Sequence, residues 1–201
     1  KPLARGADMV VYATTKYVDG QGRTLGGAIL GSKALLEEKI LPFHRHTGPA
    51  LSPFNAWVIL KGLETLPMRM ERHSSNAQAI AELLHGHAAV EHVIYPGLPS
   101  FAQYELQQRQ ATGGGGLIAL TLQGKQAALR FLNALKLVAI SNNLGDAKSL
   151  ATHPATTTHS NLTPEARAAI GISDGMVRLS IGLESINDLK RDVETALKAA
   201  A

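Results

Sequence analysis

The order of apolar segments in the second half of the chain is the feature that most limits its fold. Short apolar runs bounded by turn residues indicate strands, and longer runs with an apolar stripe at helical spacing indicate helices. The predicted strands are residues 90–95, 117–122, 137–141 and 176–181, and the predicted helices are residues 101–110, 125–135, a short segment from Pro164 and residues 186–197. Because strands and helices alternate, we predict helices packed on a sheet, which is an α/β fold.

The first part of the chain has a similar but less regular pattern. Residues 8–13 and 25–31 are apolar and are bounded by glycine or polar turns, which predicts two short buried strands. Ser32 is a suitable cap for a helix that Pro42 should end. A second helical region begins at Ser52, where the following proline suits the first turn of a helix.

The composition excludes several kinds of site. The 201 residues include no cysteine, which excludes a thiolate nucleophile, a disulfide framework and a cysteine-ligated zinc. The net charge of +4 is spread along the chain, so we expect no nucleic-acid partner. No apolar run is long enough to span a membrane and no signal-peptide pattern is present, so we expect no membrane partner and a cytoplasmic location. Because the chain begins at Lys1 without a methionine, we expect it to be a piece of a longer one.

Glycine-rich and histidine-containing segments give weaker signals. Residues 113–116 are four glycines that lead into a strand without the lysine and hydroxyl residue of a phosphate loop. The histidines lack metal-site spacing, so no metal is predicted, and His73 is expected to be solvated, as are three others near helix ends. Residues 141–160 are predicted to be a long polar loop, which suits either a binding role or simple mobility.

Two basic residues have the strongest case for chemistry. Lys16 follows Thr14 and Thr15 at the end of a predicted strand, and it is either a solvated lysine or an amine that forms a Schiff base with an aldehyde. In the second case the threonine hydroxyls could bind a phosphate. Arg178 lies inside an apolar strand, where its charge needs a partner, either a ligand carboxylate or the side chain of Glu184. The residues alone leave both alternatives open at each position.

Five motifs occur in a fixed order along almost the whole chain. They are Thr15-Lys16-Tyr17, Gly26-Gly27, SPFNAWVILKGLETL at residues 52–66, LGDAKSLATHPATTTH at residues 144–159 and RLSIGLE at residues 178–184. In this order they resemble the Cys/Met-metabolism family of pyridoxal-phosphate enzymes, relatives of cystathionine γ-synthase. The resemblance implies the C-terminal part of a fold-type I pyridoxal-phosphate transferase. Residues 1–66 would be the end of the large cofactor domain, and residues 67–201 would be the smaller C-terminal domain.

The resemblance also implies roles at the cofactor. Lys16 would be the Schiff-base lysine of pyridoxal 5'-phosphate and would move protons at Cα and Cβ of the substrate. Thr15 would contact the cofactor phosphate. Ala13 stands where the family has a phosphate-binding serine, and Thr14 is the residue that could replace the lost hydroxyl.

At the substrate, the resemblance implies three further residues. Arg178 would bind the α-carboxylate of an amino-acid substrate, with Asn143 beside it and Thr158 helping to orient the arginine. Within the family, residues 19–23 and 143–159 are most similar to the O-succinylhomoserine sulfhydrylases. The implied reaction is a γ-replacement in methionine biosynthesis, in which O-succinylhomoserine and sulfide give homocysteine and succinate.

Other functions remain open from the sequence. A cystathionine γ-synthase or methionine γ-lyase activity is the alternative within the family, and a non-catalytic fragment is the alternative outside it. Family members are longer than this chain, so the resemblance implies a missing N-terminal half as a partner. It also implies a homotetramer.

Overall fold

Two sets of elements, separated at Leu66, make up the fold. The computed structural model describes residues 1–201, and these divide into a first unit, Lys1–Leu66, and a second unit, Pro67–Ala201. None of the helices combines the length and the apolar character that crossing a membrane requires.

A two-stranded antiparallel ribbon is the centre of the first unit. The elements of this unit are a 3-10 turn (Pro2–Arg5), β1 (Met9–Ala13), β2 (Gly27–Gly31), α1 (Lys33–Leu35), a π-helical turn (Leu36–Ile40), α2 (Leu41–Thr47) and α3 (Pro53–Glu64). On one face of the ribbon Val11 pairs with Ile29, and the two are 65% and 42% exposed. Tyr12 and Leu30 are exposed on the other face. The prediction of buried strands is therefore wrong for this ribbon, because two strands alone leave both faces and one edge of each strand uncovered.

The helix after β2 extends beyond its predicted end. The Ser32 hydroxyl accepts a hydrogen bond from the Leu35 amide (3.2 Å), as expected of a cap. The helix then passes through the π-helical turn into α2, which ends at Gly48 with a φ of 78°. Pro42 lies in the first turn of α2 and does not end the helix. The π-helical turn just before Pro42 changes the local hydrogen-bond pattern, and this is where the continuous helix adjusts to the missing N–H of the proline.

The second unit is a five-stranded sheet with helices packed on it. Its elements are α4 (Leu66–Leu84), which begins at the last residue of the first unit, β3 (His92–Ile94), α5 (Tyr104–Gln110), β4 (Leu117–Thr121), α6 (Gly124–Ala134), β5 (Ala139–Ile140), β6 (Leu150–Thr152), a 3-10 turn (Pro154–Thr156), α7 (Pro164–Ala169), β7 (Met176–Ser180) and α8 (Ile186–Ala200). The strand order is β3-β4-β7-β6-β5, with all pairs antiparallel except β5 and β6. The α/β prediction is confirmed.

Strand β6 lies inside the segment predicted to be a loop. Its three residues are all buried, and they pair with the central strand β7. A strand this short and buried on both sides has no alternating pattern to reveal it in the sequence. Because of this strand, the polar segment from residue 141 to residue 160 is divided and held against the sheet.

One face of the sheet carries the core of the second unit. Val177 and Leu179 of β7 are 0% exposed, and they pair with Leu120 and Ile118 of β4. Helices α4, α6 and α8 supply the other side of this core. Side chains alternate across a strand, so Arg178 and Ser180 of β7 face the other side of the sheet.

Asp192 is a carboxylate on the buried side of α8. Its two oxygens accept hydrogen bonds from the amides of Lys136 (2.8 Å), Leu137 (3.0 Å) and Val138 (3.0 Å), which follow α6. The residue is only 8% exposed. It therefore accepts hydrogen bonds from three backbone amides in the connection between α6 and β5.

Replacement of Asp192 with alanine is expected to lower the free energy of unfolding by about 2–4 kcal/mol, because it leaves these donors without an acceptor. Urea unfolding of the variant measures the loss, with Asp188→Ala on the exposed side of α8 as the control. If the two variants differ by less than about 0.5 kcal/mol, the three bonds do not contribute as described.

Candidate active site

Lys16 lies on the turn that leaves β1, and hydrogen bonds close the backbone of that turn. The Lys16 amide donates to the Ala13 carbonyl (3.2 Å), and the Lys16 carbonyl accepts from the Gly20 amide (2.8 Å). Within the same turn, the Asp19 amide donates to the Thr14 carbonyl (2.9 Å). Lys16 is half-buried. The turn therefore fixes the backbone of the lysine at a half-buried position.

Gly26 allows this turn to lie very close to the chain that enters β2. The Thr14 amide donates to the Gly26 carbonyl (3.0 Å), and the Thr15 hydroxyl accepts from the Gly26 amide (3.0 Å). A Cβ at Gly26 would lie 2.7 Å from Thr14 Oγ1 and 2.8 Å from Ile59 Cδ1. Gly26 is thus required for packing, and Thr15 joins the lysine turn to β2.

Helix α3 packs against the same turn through Gly62. A Cβ at Gly62 would collide with the backbone carbonyl of Val18, two residues after Lys16. The helix can approach the turn this closely because glycine has no side chain. The glycine of the LKGLETL segment therefore has a direct packing role beside the lysine.

The carboxylate of Asp19 closes the glycine-rich segment that follows Lys16. It accepts hydrogen bonds from the Arg23 amide (2.6 Å) and from Arg23 Nε (2.9 Å), and the Thr24 amide lies 3.4 Å from it. Burial acts to raise the pKa of Asp19, but the hydrogen bonds and the charge of Arg23 outweigh it and hold the pKa below its usual value. The DGQGR segment is therefore a folded turn held by one ionised carboxylate.

This pKa predicts that the turn becomes less stable in acid. A carboxyl group with a lowered pKa in the folded state stabilises the protein above its ordinary pKa of 3.8. That contribution is lost as the pH falls through the folded-state value. The free energy of unfolding of the wild type should therefore approach that of Asp19→Asn as the pH falls from about 5 to below 3.8. A constant difference between the two proteins over this range would contradict the prediction.

Arg178 lies on β7, on the face of the sheet opposite the core. Its neighbours Val177 and Leu179 are buried in the core, whereas Arg178 is half-buried. Its Nη2 donates to the carbonyls of Asn142 (2.9 Å) and Asn143 (3.1 Å). The structure thus brings Asn143 next to Arg178 through its backbone. The fork geometry of a guanidinium suits a carboxylate.

Glu184, the alternative partner considered for Arg178, has a different set of contacts. Its Oε1 accepts from the Ser149 amide (2.5 Å) and its Oε2 accepts from the Ser149 hydroxyl (2.9 Å). Each oxygen of the Glu184 carboxylate therefore accepts a hydrogen bond from Ser149. The carbonyls of Asn142 and Asn143 that bind Arg178 could not be predicted from the sequence, because every residue type has a backbone carbonyl.

Thr158 is exposed, and its hydroxyl lies 2.8 Å from Nδ1 of His159. A second hydroxyl, that of Thr157, lies 2.9 Å from Thr152 Oγ1, which donates to the side-chain oxygen of Asn142 (2.8 Å). Thr152 is the residue of β6 that pairs with Arg178. Sequence reasoning missed Thr152 and Thr157 because it missed the strand that brings them to this face.

His73 differs from its expected solvated state. It is 0% exposed on α4, and its Nδ1 lies 2.6 Å from the Ile181 carbonyl. Burial lowers the pKa of His73, and the bond to Ile181 opposes this only in part. The prediction was wrong because α4 has a wide buried face, which includes polar residues such as Asn76. No group of three or more histidine, aspartate or glutamate side chains is placed to hold a metal ion.

The α/β fold and the family match together define the class as fold-type I pyridoxal-phosphate-dependent enzymes. A model of the Cys/Met metabolism PLP-dependent enzyme family matches residues 1–198. The chain belongs to this family. The family resemblance found in the sequence is therefore confirmed.

Several relatives are similar over nearly the whole chain. An O-succinylhomoserine sulfhydrylase from Mycobacterium tuberculosis is 54% identical over 197 residues, which are 96% of this chain and 48% of that protein. An L-methionine gamma-lyase from Pseudomonas putida is 49% identical over 203 residues, with 100% of this chain and 51% of that protein covered. This chain thus spans about half the length of the curated relatives it matches.

Solved structures support the same family. Cystathionine gamma synthase from Xanthomonas oryzae pv. oryzae, in complex with aminoacrylate and cysteine, superposes with a TM-score of 0.95 at 44% identity. The match covers 100% of this chain and 52% of that one. The comparisons therefore include three activities, and the family alone does not choose among them.

The family depends on pyridoxal phosphate, and the residues around Lys16 fit that group. Thr14 Oγ1 is buried and has no hydrogen-bond partner in the structure. An unpartnered buried hydroxyl costs free energy, and a phosphate oxygen is an acceptor that it could use. A lysine amine two residues later is the group that reacts with an aldehyde. The phosphate and the aldehyde of the cofactor thus each have a chemical counterpart in this turn.

Proposed function

We propose that this chain is the C-terminal half of an enzyme that catalyses γ-replacement on O-succinylhomoserine with sulfide. The products are homocysteine and succinate. The observation that carries the proposal is the 54% identity to an O-succinylhomoserine sulfhydrylase over 96% of this chain. The substrate is an activated amino acid, so it offers a carboxylate to a cation and a proton at Cα to a base.

Lys16 would hold pyridoxal phosphate through its amine in this proposal. The bound cofactor supplies an electron sink for negative charge that develops on the substrate. The amine of Lys16 would remove the proton at Cα of the substrate and would carry a proton at Cβ. Thr14 donates its hydroxyl to the phosphate. Thr15 would donate its hydroxyl proton to the phosphate in place of its long contact with the Gly26 carbonyl (3.4 Å), and Thr14 is the residue that would replace the hydroxyl lost at Ala13.

Arg178 binds the α-carboxylate of the substrate in this proposal. The bond is charge-assisted on both sides, and the fork geometry of the guanidinium fixes the orientation of the amino acid. Orientation matters because only a well-placed Cα–H bond reacts quickly. Asn143 supports the arginine through its carbonyl, and Thr158 remains a predicted contributor to that orientation.

The N-terminal half of the relatives is the proposed partner of this chain. The support comes from the coverage of about half of each relative and from the exposed apolar ribbon of the first unit. A homotetramer and a location in the cytoplasm remain predictions from the family resemblance.

The test uses this chain combined with the N-terminal half. O-succinylhomoserine is supplied with sulfide or with cysteine, methionine is supplied alone in a separate reaction, and homocysteine, cystathionine and 2-oxobutyrate are measured. Homocysteine formed mainly from sulfide supports the proposal. Cystathionine formed from cysteine would make the enzyme a cystathionine γ-synthase, and 2-oxobutyrate from methionine would make it a methionine γ-lyase. If no product forms although the two halves associate, the chain is not part of a catalyst of this class.

A further inference from the structure

The carbonyls that hold Arg178 belong to the loop between β5 and β6, so the position of the guanidinium follows the path of that loop. In the middle of the loop, the Gly145 amide donates to the Ser180 hydroxyl (2.9 Å). Ser180 is 1% exposed, and it lies two residues after Arg178 on the same face of β7. The strand that carries the arginine therefore also fixes part of the loop that holds it.

The end of this loop is fixed more firmly, by Ser149 and Glu184. Ser149 is 0% exposed, and both its amide and its hydroxyl donate to the Glu184 carboxylate. The same hydroxyl accepts from the Gly182 amide (2.8 Å), and the Ala147 carbonyl accepts from the Leu183 amide (2.7 Å). Hydrogen bonds to a carboxylate are about twice as strong as neutral ones. The loop end and the segment after β7 are thus joined as one piece.

Helix α4 supports that piece from another side. Asn76 is 2% exposed, and its Nδ2 donates to the carbonyls of Gly182 and Glu184 (3.0 Å each). A Cβ at Gly182 would lie 2.5 Å from Glu184 Oε2. A side chain at residue 182 would therefore collide with the Glu184 carboxylate, so the glycine leaves the space that this carboxylate occupies beside Ser149.

From these contacts we propose that Ser149 and Glu184 are positioning residues for the recognition of the substrate carboxylate. They fix the loop whose Asn142 and Asn143 carbonyls aim Arg178. Neither residue contacts the substrate, and both act through the arginine. The inference rests on the carboxylate-binding role proposed above for Arg178. A small displacement of the loop turns the guanidinium away from the geometry in which it binds a carboxylate through two parallel bonds.

The test compares Ser149→Ala and Glu184→Gln with controls in the assembled enzyme. Glu184→Gln keeps the volume of the side chain and guards against a variant that fails to fold. The controls are Thr195→Ala, which removes an exposed hydroxyl, and Glu194→Gln, which changes an exposed carboxylate on α8. Each positioning variant should raise KM for O-succinylhomoserine roughly tenfold, as expected when a bond to a charged group is weakened. The kcat value should change less than about twofold. Hydrogen exchange at residues 142–149 should quicken in both variants.

A double-mutant cycle separates this role from a general structural one. Combined with Arg178→Ala, the Ser149→Ala change should have no further effect on KM, because it acts through the missing arginine. An equal effect in both backgrounds would overturn the inference. The inference is also overturned if Ser149→Ala and Glu184→Gln have the KM of the controls while Arg178→Ala raises KM. In that case the proposed role of Arg178 is retained. If Arg178→Ala leaves KM unchanged, the carboxylate role fails and this inference fails with it.

Discussion

Replacing Lys16 with alanine should abolish both covalent attachment of the cofactor and turnover. The proposed roles of the amine are to hold the cofactor and to move protons at Cα and Cβ, and alanine can do neither. Proton transfer alone typically contributes about 10²–10⁴-fold to a rate, so kcat should fall by about 10⁴-fold or more when both roles are lost. The turn should keep its shape, because the backbone hydrogen bonds of Lys16 do not need its side chain, and Thr15 and Asp19 are unchanged.

The attachment can be measured without turnover. The chain and its N-terminal half are mixed with pyridoxal phosphate and reduced with borohydride, and the peptide that contains Lys16 is examined by mass spectrometry. Lys33→Ala, at a lysine whose side chain is 84% exposed, is the matched control and should label like the wild type. Labelling that persists at another lysine in Lys16→Ala, with unchanged activity, would show that Lys16 is not the reacting group.

Replacing Arg178 with alanine should lower kcat/KM for the amino-acid substrate by about 10- to 150-fold. This range corresponds to about 1.5–3 kcal/mol, the usual contribution of a hydrogen bond to a charged group. Arg178→Lys should recover only part of the loss, because an ammonium keeps the charge but not the fork that binds both carboxylate oxygens. The effect should appear mainly in KM, since the arginine binds a part of the substrate that does not react.

Steady-state kinetics with varied O-succinylhomoserine at saturating sulfide test this expectation. Arg191→Lys is the control, because the Arg191 side chain is 74% exposed on α8. The unfolding midpoint of each variant shows whether the loss of the bonds to the loop has also destabilised the second unit. A normal KM in Arg178→Ala would exclude the carboxylate role and would leave Arg178 as a support for the loop.

The sequence predicted the helices and strands of the second unit better than it predicted the hydrogen bonds between them. The pattern of residues 186–197 places Leu189, Val193 and Leu197 on one face, and all three are 0% exposed on α8. The same periodicity gave no sign that Asp192, on the buried side of that helix, accepts three backbone bonds. Such contacts join residues more than fifty positions apart, so no local pattern contains them.

The candidate site shows the same limit. Lys16 and Arg178 could be selected because a charged residue in an apolar context is unusual in a sequence. The contacts that define their surroundings are largely made by the backbone, such as the Asn142 carbonyl at Arg178 and the Gly26 amide at Thr15. Backbone groups are the same for every residue type, and only the fold determines where they point. The resemblance to a family supplied the roles that local chemistry left open.

The ribbon of β1 and β2 affects how any oligomeric state of this chain should be interpreted. Unpaired strand edges beside apolar side chains are templates for pairing with another chain. Molecules of this chain produced alone can therefore associate edge to edge, and a two-stranded ribbon gains stability when they do. A tetramer seen by light scattering would then report non-native strand pairing as readily as native assembly. Subunit number is informative only when the edges of the ribbon are covered by the rest of the enzyme.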